Sequence, residues 1–317
     1  MANTYRPEGY LFETRENREY IMSRSGLERA RDDGRILEAT ALLCDSRMRL
    51  HVDLYGMTGI IEKSEATYST DDKQTKDIAV ITRVGKPVCF KVMGFTREDG
   101  KEIAILSRRE AQKECLTRYL HHMTEGDIVE ARVTHLDSFG AFVDIGCGVI
   151  SLLSIDCISV SRISHPSDRL AVGDRIWTVI KSIDRSSGRI FVSMRELLGT
   201  WLENASEFEV GQTVAGIVRS VESYGVFVEL TPNLAGLAEL REGTEDSDIA
   251  RVGERAAVYI KSILPDKMKI KLVLIDAYHG STPPQRLRYY TDVQKVNHID
   301  SWRYSPPNSV KQIETIF

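Results

Sequence analysis

Ser138 to Gly146 reads SFGAFVDIG, two phenylalanines three residues apart around a glycine, in a stretch whose alternating apolar residues point to a β-strand. In a regular strand side chains alternate between faces, so Phe139 and Phe142 are expected to point opposite ways. The arrangement recurs as SYGVFVELT, Ser223 to Thr231. Aligning EGDIVEARVTHLDSFGAFVDIG with VGQTVAGIVRSVESYGVFVELT sets Gly126 on Gly211, Phe139 on Tyr224 and Phe142 on Phe227 without a gap, an offset of 85 residues. Further on, VIKSIDRSSGRIFVSM falls on YIKSILPDKMKIKLVL with Lys181 on Lys261, an offset of 80, so the intervening loop is five residues shorter in the later copy. A repeat of this kind sets the architecture before any single residue does.

A more distant copy lies earlier, in RILEATALLCDSRMRLHVDLYGMTGII and GKPVCFKVMGFTREDGKEIAILSRRE. Gly85 takes the place of Gly173, but the middle, SRMRLHV, has no aromatic residue. Each copy reads as five short strands, in the middle one about 128–137, 139–145, 149–153, 176–183 and 189–194, with turn signals such as SSG and EDG between the last two. About 70 residues with five strands suits a small closed Greek-key barrel, in which closure removes exposed edges. The expected fold is all-β, three tandem five-stranded oligonucleotide-binding (OB) barrels joined by short helices. The joints SRREAQKECLTRYLHHM and SMRELLGTWLENASEF carry apolar residues at helical spacing (Cys115, Leu116 and Tyr119; Leu197, Leu198, Trp201 and Leu202), with Gly199 weakening the second. The expected divisions are an N-terminal arm 1–32, a degenerate first barrel with its linker helix 33–122, a second 123–207, a third 208–276 and a tail 277–317.

Within the second copy, Val143 and Ile145 are spaced to enter the core, which sends Phe142 and Asp144 outward and Phe139 inward. Gly140 offers an escape, because glycine commonly marks a bulge or bend. A bulge there brings both rings to one side; the alternative is that one or both fill the core. Recurrence with tyrosine at the first position favours exposure, since a buried hydroxyl needs a partner. On the last strand Ile190, Val192 and Met194 take one face and Arg189, Phe191, Ser193 and Arg195 the other. In the later copy Met268, Ile270 and Leu272 face in and Lys267, Lys269 and Lys271 face out, either as a solvated lysine-protected edge or as a phosphate-contacting stripe. Rings beside cations suit single-stranded nucleic acid, whose unpaired bases stack while cations meet phosphates. Paired RNA hides those faces.

These segments, with HPSDRLAVGDRIWTVIKSIDRSSGRIFVSMRE, resemble the S-one RNA-binding domain, the repeated module of a bacterial small-subunit ribosomal protein family. The likeness covers about 33 to 276, firmly in the second and third copies and loosely in the first. It implies an OB barrel that binds single-stranded RNA through two aromatics, a histidine, an aspartate and a basic residue. Carried over, the aromatics match Phe139 and Phe142, the aspartate Asp184 and the basic residue Arg189. The histidine is missing: VISLLS sets Leu152 near its slot. In the third copy Tyr224, Phe227 and Lys269 match, whereas Glu239 stands in the histidine slot, where it would repel phosphate, and Leu264 in the aspartate slot. The first copy has Glu62 near the histidine slot and no rings. The resemblance implies an mRNA-binding protein of the small ribosomal subunit, cytoplasmic and ribosome-associated, with the first barrel or the N-terminal arm as docking module. A regulatory or protein-docking scaffold with weak RNA binding is the alternative, and an RNA-processing nuclease component a third.

Composition narrows the classes. With a formal net charge of -4 the chain is not broadly basic, so a nucleic-acid site must be a local patch. No apolar run approaches the ~20 residues that span a bilayer, so no membrane partner is expected. Five scattered cysteines form no Cys-x-x-Cys and read as buried reduced thiols, with no metal or cofactor expected. No phosphate cradle or convergent carboxylate set emerges, and TEDSD reads as a solvated loop, so no enzymatic activity is expected. The charged first 32 residues read as a helical or partly ordered arm. The tail carries Arg286, Arg288, Tyr289, Tyr290, Trp302 and Tyr304 and is expected to fold back onto the third barrel.

Overall fold

The computed structural model describes residues 5–69, 75–239, 250–278 and 287–317. TEDSD, His279 and Arg286 lie outside the described residues. Fifteen strands make three closed barrels of five. The first uses β1 to β5 (Ile36–Cys44, Leu50–Asp53, Thr58–Ile61, Pro87–Glu98, Lys101–Ser107), the second β6 to β10 (Ile128–Asp137, Gly140–Asp144, Ile150–Ser154, Arg175–Asp184, Arg189–Ser193) and the third β11 to β15 (Thr213–Glu222, Gly225–Thr231, Leu234–Glu239, Arg255–Leu264, Lys269–Tyr278). In each barrel the third strand pairs in parallel with the fifth while the other contacts are antiparallel, so no edge is left unpaired.

The inward positions fill as period-two alternation requires. In the second barrel Val129, Ala131, Val133, Ala141, Val143, Leu153, Ile180 and Val192 are buried together. Between the first two barrels runs α3 (Arg108–Arg118), started by the Ser107 hydroxyl, which accepts the Glu110 N–H at 2.9 Å. The second joint breaks at Gly199, whose φ of +84° separates a 3-10 turn, Arg195–Leu198, from α4 (Trp201–Ala205). Leu197, Leu198 and Trp201 are buried as their spacing suggested, whereas Leu202 faces solvent.

Two short helices, α1 (Arg15–Ile21) and α2 (Arg24–Asp32), are not a solvated arm: Ile21, Leu27 and Ala30 complete the first barrel's core. Residues ahead of them thread the seam between the first two barrels. Glu8 there is buried against Arg108 (Nε to Oε1, 2.6 Å) and accepts the Cys89 N–H at 3.0 Å. Asp144, expected at the surface, leaves its own barrel core but is sealed in this seam. It accepts the N–H groups of Glu8, Gly146 and Gly148 at 2.7, 2.8 and 3.0 Å. Glu38 accepts those of Gly9 and Phe12 at 2.5 and 2.6 Å. Burial, with the neighbouring Glu8 charge adding to it, pushes both Glu38 and Asp144 up to about 7.

The seam between the second and third barrels has its own charged lock. Glu229 is fully buried; it pairs with Arg169 of the second barrel (Nη1 to Oε1, 2.7 Å) and with Arg219 of its own (Nε to Oε2, 2.8 Å). Asn233 adds a polar hinge pin, accepting the Val160 N–H at 2.9 Å and donating to the carbonyls of Arg195 and Gly199, both at 2.9 Å. The tail folds back on both barrels rather than the third alone. Val293, Val296, Ile299 and Phe317 pack around Ile128, Val179 and Leu197 of the second barrel and its exit turn, while Trp302 and Tyr304 join the third core.

Two measurements test these seams. Glu229→Ala strands the Arg169 guanidinium and leaves Arg219 only Asp168 at 3.6 Å, and urea unfolding is expected to show a loss of about 3–5 kcal/mol; a loss below about 1 kcal/mol would remove the lock from the account. Glu38 and Asp144 hold protons more tightly folded than unfolded. Their contribution is therefore full near pH 4 and is lost as pH rises through about 7. Glu38→Gln cannot lose a proton, so its stability relative to the parent is expected to improve from pH 5 to pH 8, read as the change in Tm difference. A constant difference across that range contradicts the assignment.

Candidate nucleic-acid interface

One row of side chains crosses all five strands of the second barrel. Cross-strand register sets His135 on Phe142, Phe142 on Leu152, Leu152 on Phe191 and Phe191 on Ser182, from β6 through β7, β8 and β10 to β9. Phe139 stands beside the row, 49% exposed, with its ring centroid 5.8 Å from that of Phe142 and the two planes perpendicular. Both rings therefore share one side.

The cause is not a bulge at Gly140, which does not take a positive φ. Phe139 lies in the two-residue turn that precedes β7, where strand alternation does not apply. The register shift sits on the partner strand instead, between Val133 and His135, and the hydroxyl of the intervening Thr134 donates to the Phe142 carbonyl at 3.0 Å. Gly140 serves close packing: a Cβ there would lie 2.5 Å from the Leu153 carbonyl oxygen.

His135 is a ring that sequence reading missed. It stacks on Phe142 with centroids 6.0 Å apart and planes at 27°. The signal was present, since a two-residue hairpin turn pairing Asp137 with Gly140 sets His135 opposite Phe142. Thus a histidine reaches the face from β6 rather than from β8. Register also moves the expected histidine slot. Gly140 pairs with Ser154 and its equivalent Gly225 with Glu239, so Ser154, not Leu152, is the counterpart of Glu239.

Asp184 and Arg189 pair across the base of the β9–β10 hairpin. Hydroxyls of Ser186 and Ser187 donate to the Asp184 carboxylate at 2.6 and 2.5 Å and hold it well below the usual carboxylate range. Asp184 thus shapes the turn that presents Arg189, which is exposed. Phe191 is half-buried within the row, whereas Ser193, expected to face out, is buried and donates to the Cys157 carbonyl at 3.2 Å.

The third barrel repeats the row with changed chemistry: Ser220, Phe227, Leu237, Lys271 and Ser262. Tyr224 is 60% exposed, perpendicular to Phe227 at 6.2 Å between centroids. Lys267 and Lys269 are exposed at the β14–β15 turn. Lys271 is partly spent, because its amine meets Glu239 at 3.3 Å; that carboxylate is neutralised within the face rather than left bare. In the first barrel the corresponding surface is an ion network. Arg49 reaches Asp45 and Glu98, both at 2.9 Å, and Glu62 at 3.9 Å, and His51 meets Asp45 at 3.1 Å. The Phe95 ring of this barrel is covered by the Arg24 guanidinium 3.3 Å above the centroid.

Among the described residues no group of three or more His, Cys, Asp or Glu is placed to hold a metal ion, and no helix is long and apolar enough to cross a membrane.

Residues 123–195 match the family model of the S1 RNA binding domain. The chain is 27% identical over 234 residues to the small ribosomal subunit protein bS1 of Rhizobium meliloti (strain 1021), covering 70% of this chain and 40% of that protein. It is 32% identical over 178 residues to bS1 of Leuconostoc lactis, covering 53% and 41%. Against bS1 of Staphylococcus aureus (strain COL) it is 29% identical over 280 residues, covering 82% and 68%. The chain thus spans about two fifths of the length of the first two relatives. The matched domain coincides with the barrel that carries the ring row, and the alignments to the relatives are long enough to extend into neighbouring barrels; the second barrel is thus similar to an S1 RNA binding domain, in a chain similar over most of its length to bS1 proteins.

Proposed function

We propose that this chain holds single-stranded RNA, mRNA in particular, at the small ribosomal subunit in the cytoplasm. The observation that carries the reading is the row His135, Phe142, Leu152 and Phe191 with Phe139 beside it, a mostly apolar, ring-lined surface flanked by Arg189. Unpaired bases lie flat on such rings at ~1–3 kcal/mol each, while arginine and lysine meet the phosphates. Tyr224, Phe227, Lys267, Lys269 and Lys271 offer a second surface in the third barrel. Two weak sites on one chain reinforce each other, because the second engagement is intramolecular. The relatives that support the ribosomal part of the reading are named as small-subunit proteins. Holding RNA in this way needs no bond-breaking chemistry, so we infer a binder rather than an enzyme.

The first barrel takes the docking role in this reading. Its Arg49 network satisfies its own charges and Arg24 covers the Phe95 ring, which suits contact with protein more than with unpaired bases.

Fluorescence anisotropy with a labelled oligouridine tests the ring surface. Phe139→Ala and Phe142→Ala are each expected to weaken binding by roughly five- to a hundredfold, the range that follows from one lost base stack. His135→Ala, which removes the ring stacked on Phe142, is expected to weaken it by a smaller factor. Unchanged affinity in the two phenylalanine variants, with Tm preserved, would return the chain to the scaffold reading. Logarithmic salt dependence should have a slope of about -0.7 per phosphate neutralised.

A further inference from the structure

The third barrel's ring pair does not stand on an open face. It lines a cleft of about 680 Å³ whose walls come from three parts of the chain. Tyr224 and Phe227 form the floor with Lys267 and Lys269 at one rim. Residues 160–164 of the second barrel form one wall, and Lys311 and Ile313 of the tail another. A volume of this size lies in the range that encloses a small ligand, and one nucleotide fits it.

Both added walls are held by hydrogen bonds rather than merely lying nearby. The 160–164 segment is tied down by Val160, whose N–H donates to Asn233 Oδ1 at 2.9 Å, and by Ser161, whose N–H donates to the Pro232 carbonyl at 3.2 Å. On the tail side, Ile313 donates its N–H to Ser305 Oγ at 2.8 Å and accepts that of Tyr304 at 2.9 Å, while the Tyr304 hydroxyl donates to the Asn233 carbonyl. One asparagine therefore anchors both walls.

Charge is concentrated in the same place. Arg162, Lys267, Lys269 and Lys311 are exposed and make no ion pair among the described residues, whereas Arg219 is neutralised by Glu229. Glu222 is the carboxylate that lines the cleft. In a chain with a net charge of -4, four free cations around two rings make a focused anion site.

Resting on the single-stranded RNA reading above, we propose that this cleft takes one unpaired base between the Tyr224–Phe227 floor and the Ile313 wall. Arg162 and Lys311 clasp the flanking phosphates from outside the barrel. The third site is then a product of the assembled chain: neither the barrel's own sequence nor its likeness to other barrels contains two of its cationic contacts. A nucleotide in a duplex cannot enter, because its base is already stacked and paired on both sides.

The test is anisotropy of labelled oligouridine on the full chain, with Arg162→Ala, Lys311→Ala and the double variant. Lys295→Ala serves as control, a tail lysine paired with Asp292 at 2.9 Å and absent from the cleft lining. Each single variant is expected to weaken binding roughly three- to tenfold and to lower the salt slope by about 0.7, with the double variant losing both contacts. The control should stay within about twofold, as expected for removal of one exposed, ion-paired charge. If Arg162→Ala and Lys311→Ala match the control while Tyr224→Ala still weakens binding, the clasp is refuted and the RNA reading stands. If Tyr224→Ala, Phe139→Ala and Phe142→Ala are also silent, the RNA reading itself fails. An octaglutamate peptide that binds the parent more tightly than oligouridine, and loses that binding in the double variant, would assign the cleft to an acidic protein partner and overturn the proposal.

Discussion

A buried carboxylate at one repeated strand position governs how the barrels meet. Asp144 and Glu229 are equivalent residues, each near the end of its barrel's second strand. Each turns away from its own core and is sealed against whatever precedes that barrel. For Asp144 the donors include the Glu8 backbone; for Glu229 they include the Arg169 guanidinium. A carboxylate shut away from water without partners costs several kcal/mol, so the assembled seam is the arrangement that satisfies it. Apolar packing makes each barrel, and polar complementarity selects how one barrel sits on the next.

The same strand also delivers the rings. Phe142 and Asp144 have equal parity on β7, as do Phe227 and Glu229 on β12, so each outward strand face carries a ring followed two residues later by a lock. A one-residue slip would bury the ring and withdraw the carboxylate together. Register is therefore specified twice over, by the core residues on one side and by the seam on the other. This coupling explains how two barrels of different surface chemistry keep the same placement of rings.

Much of this was legible from residues alone. Alternating apolar residues and turn signals located the strands, and the recurring Gly-x-Phe located the ring strands. What escaped was anything decided across strands. Asp144 looked solvent-facing because alternation reports only whether a side chain leaves its own core, not what covers it afterwards. His135 was overlooked because its neighbour is seven positions away along the chain and adjacent only through hairpin pairing. The mistaken choice of Leu152 over Ser154 came from matching a short motif without a register to anchor it. The expected glycine bulge gave way to one at Thr134, since a bulge on either partner strand leaves a similar trace in sequence. Arg162 and Lys311 gave no local signal at all, being brought to the third barrel by folding of distant segments.

The lock at Glu229 also determines which partner gives up its freedom. With barrels two and three clamped and the tail laid across both, the protein offers its two ring surfaces at a set separation and angle. In the proposed RNA-holding role, a flexible polymer that visits both must be the one to conform, so the ordering penalty falls on the polymer. Strands too short to bridge that gap gain nothing from the second surface, and longer ones gain it all at once. Grip then depends on ligand length as a threshold rather than a gradual climb.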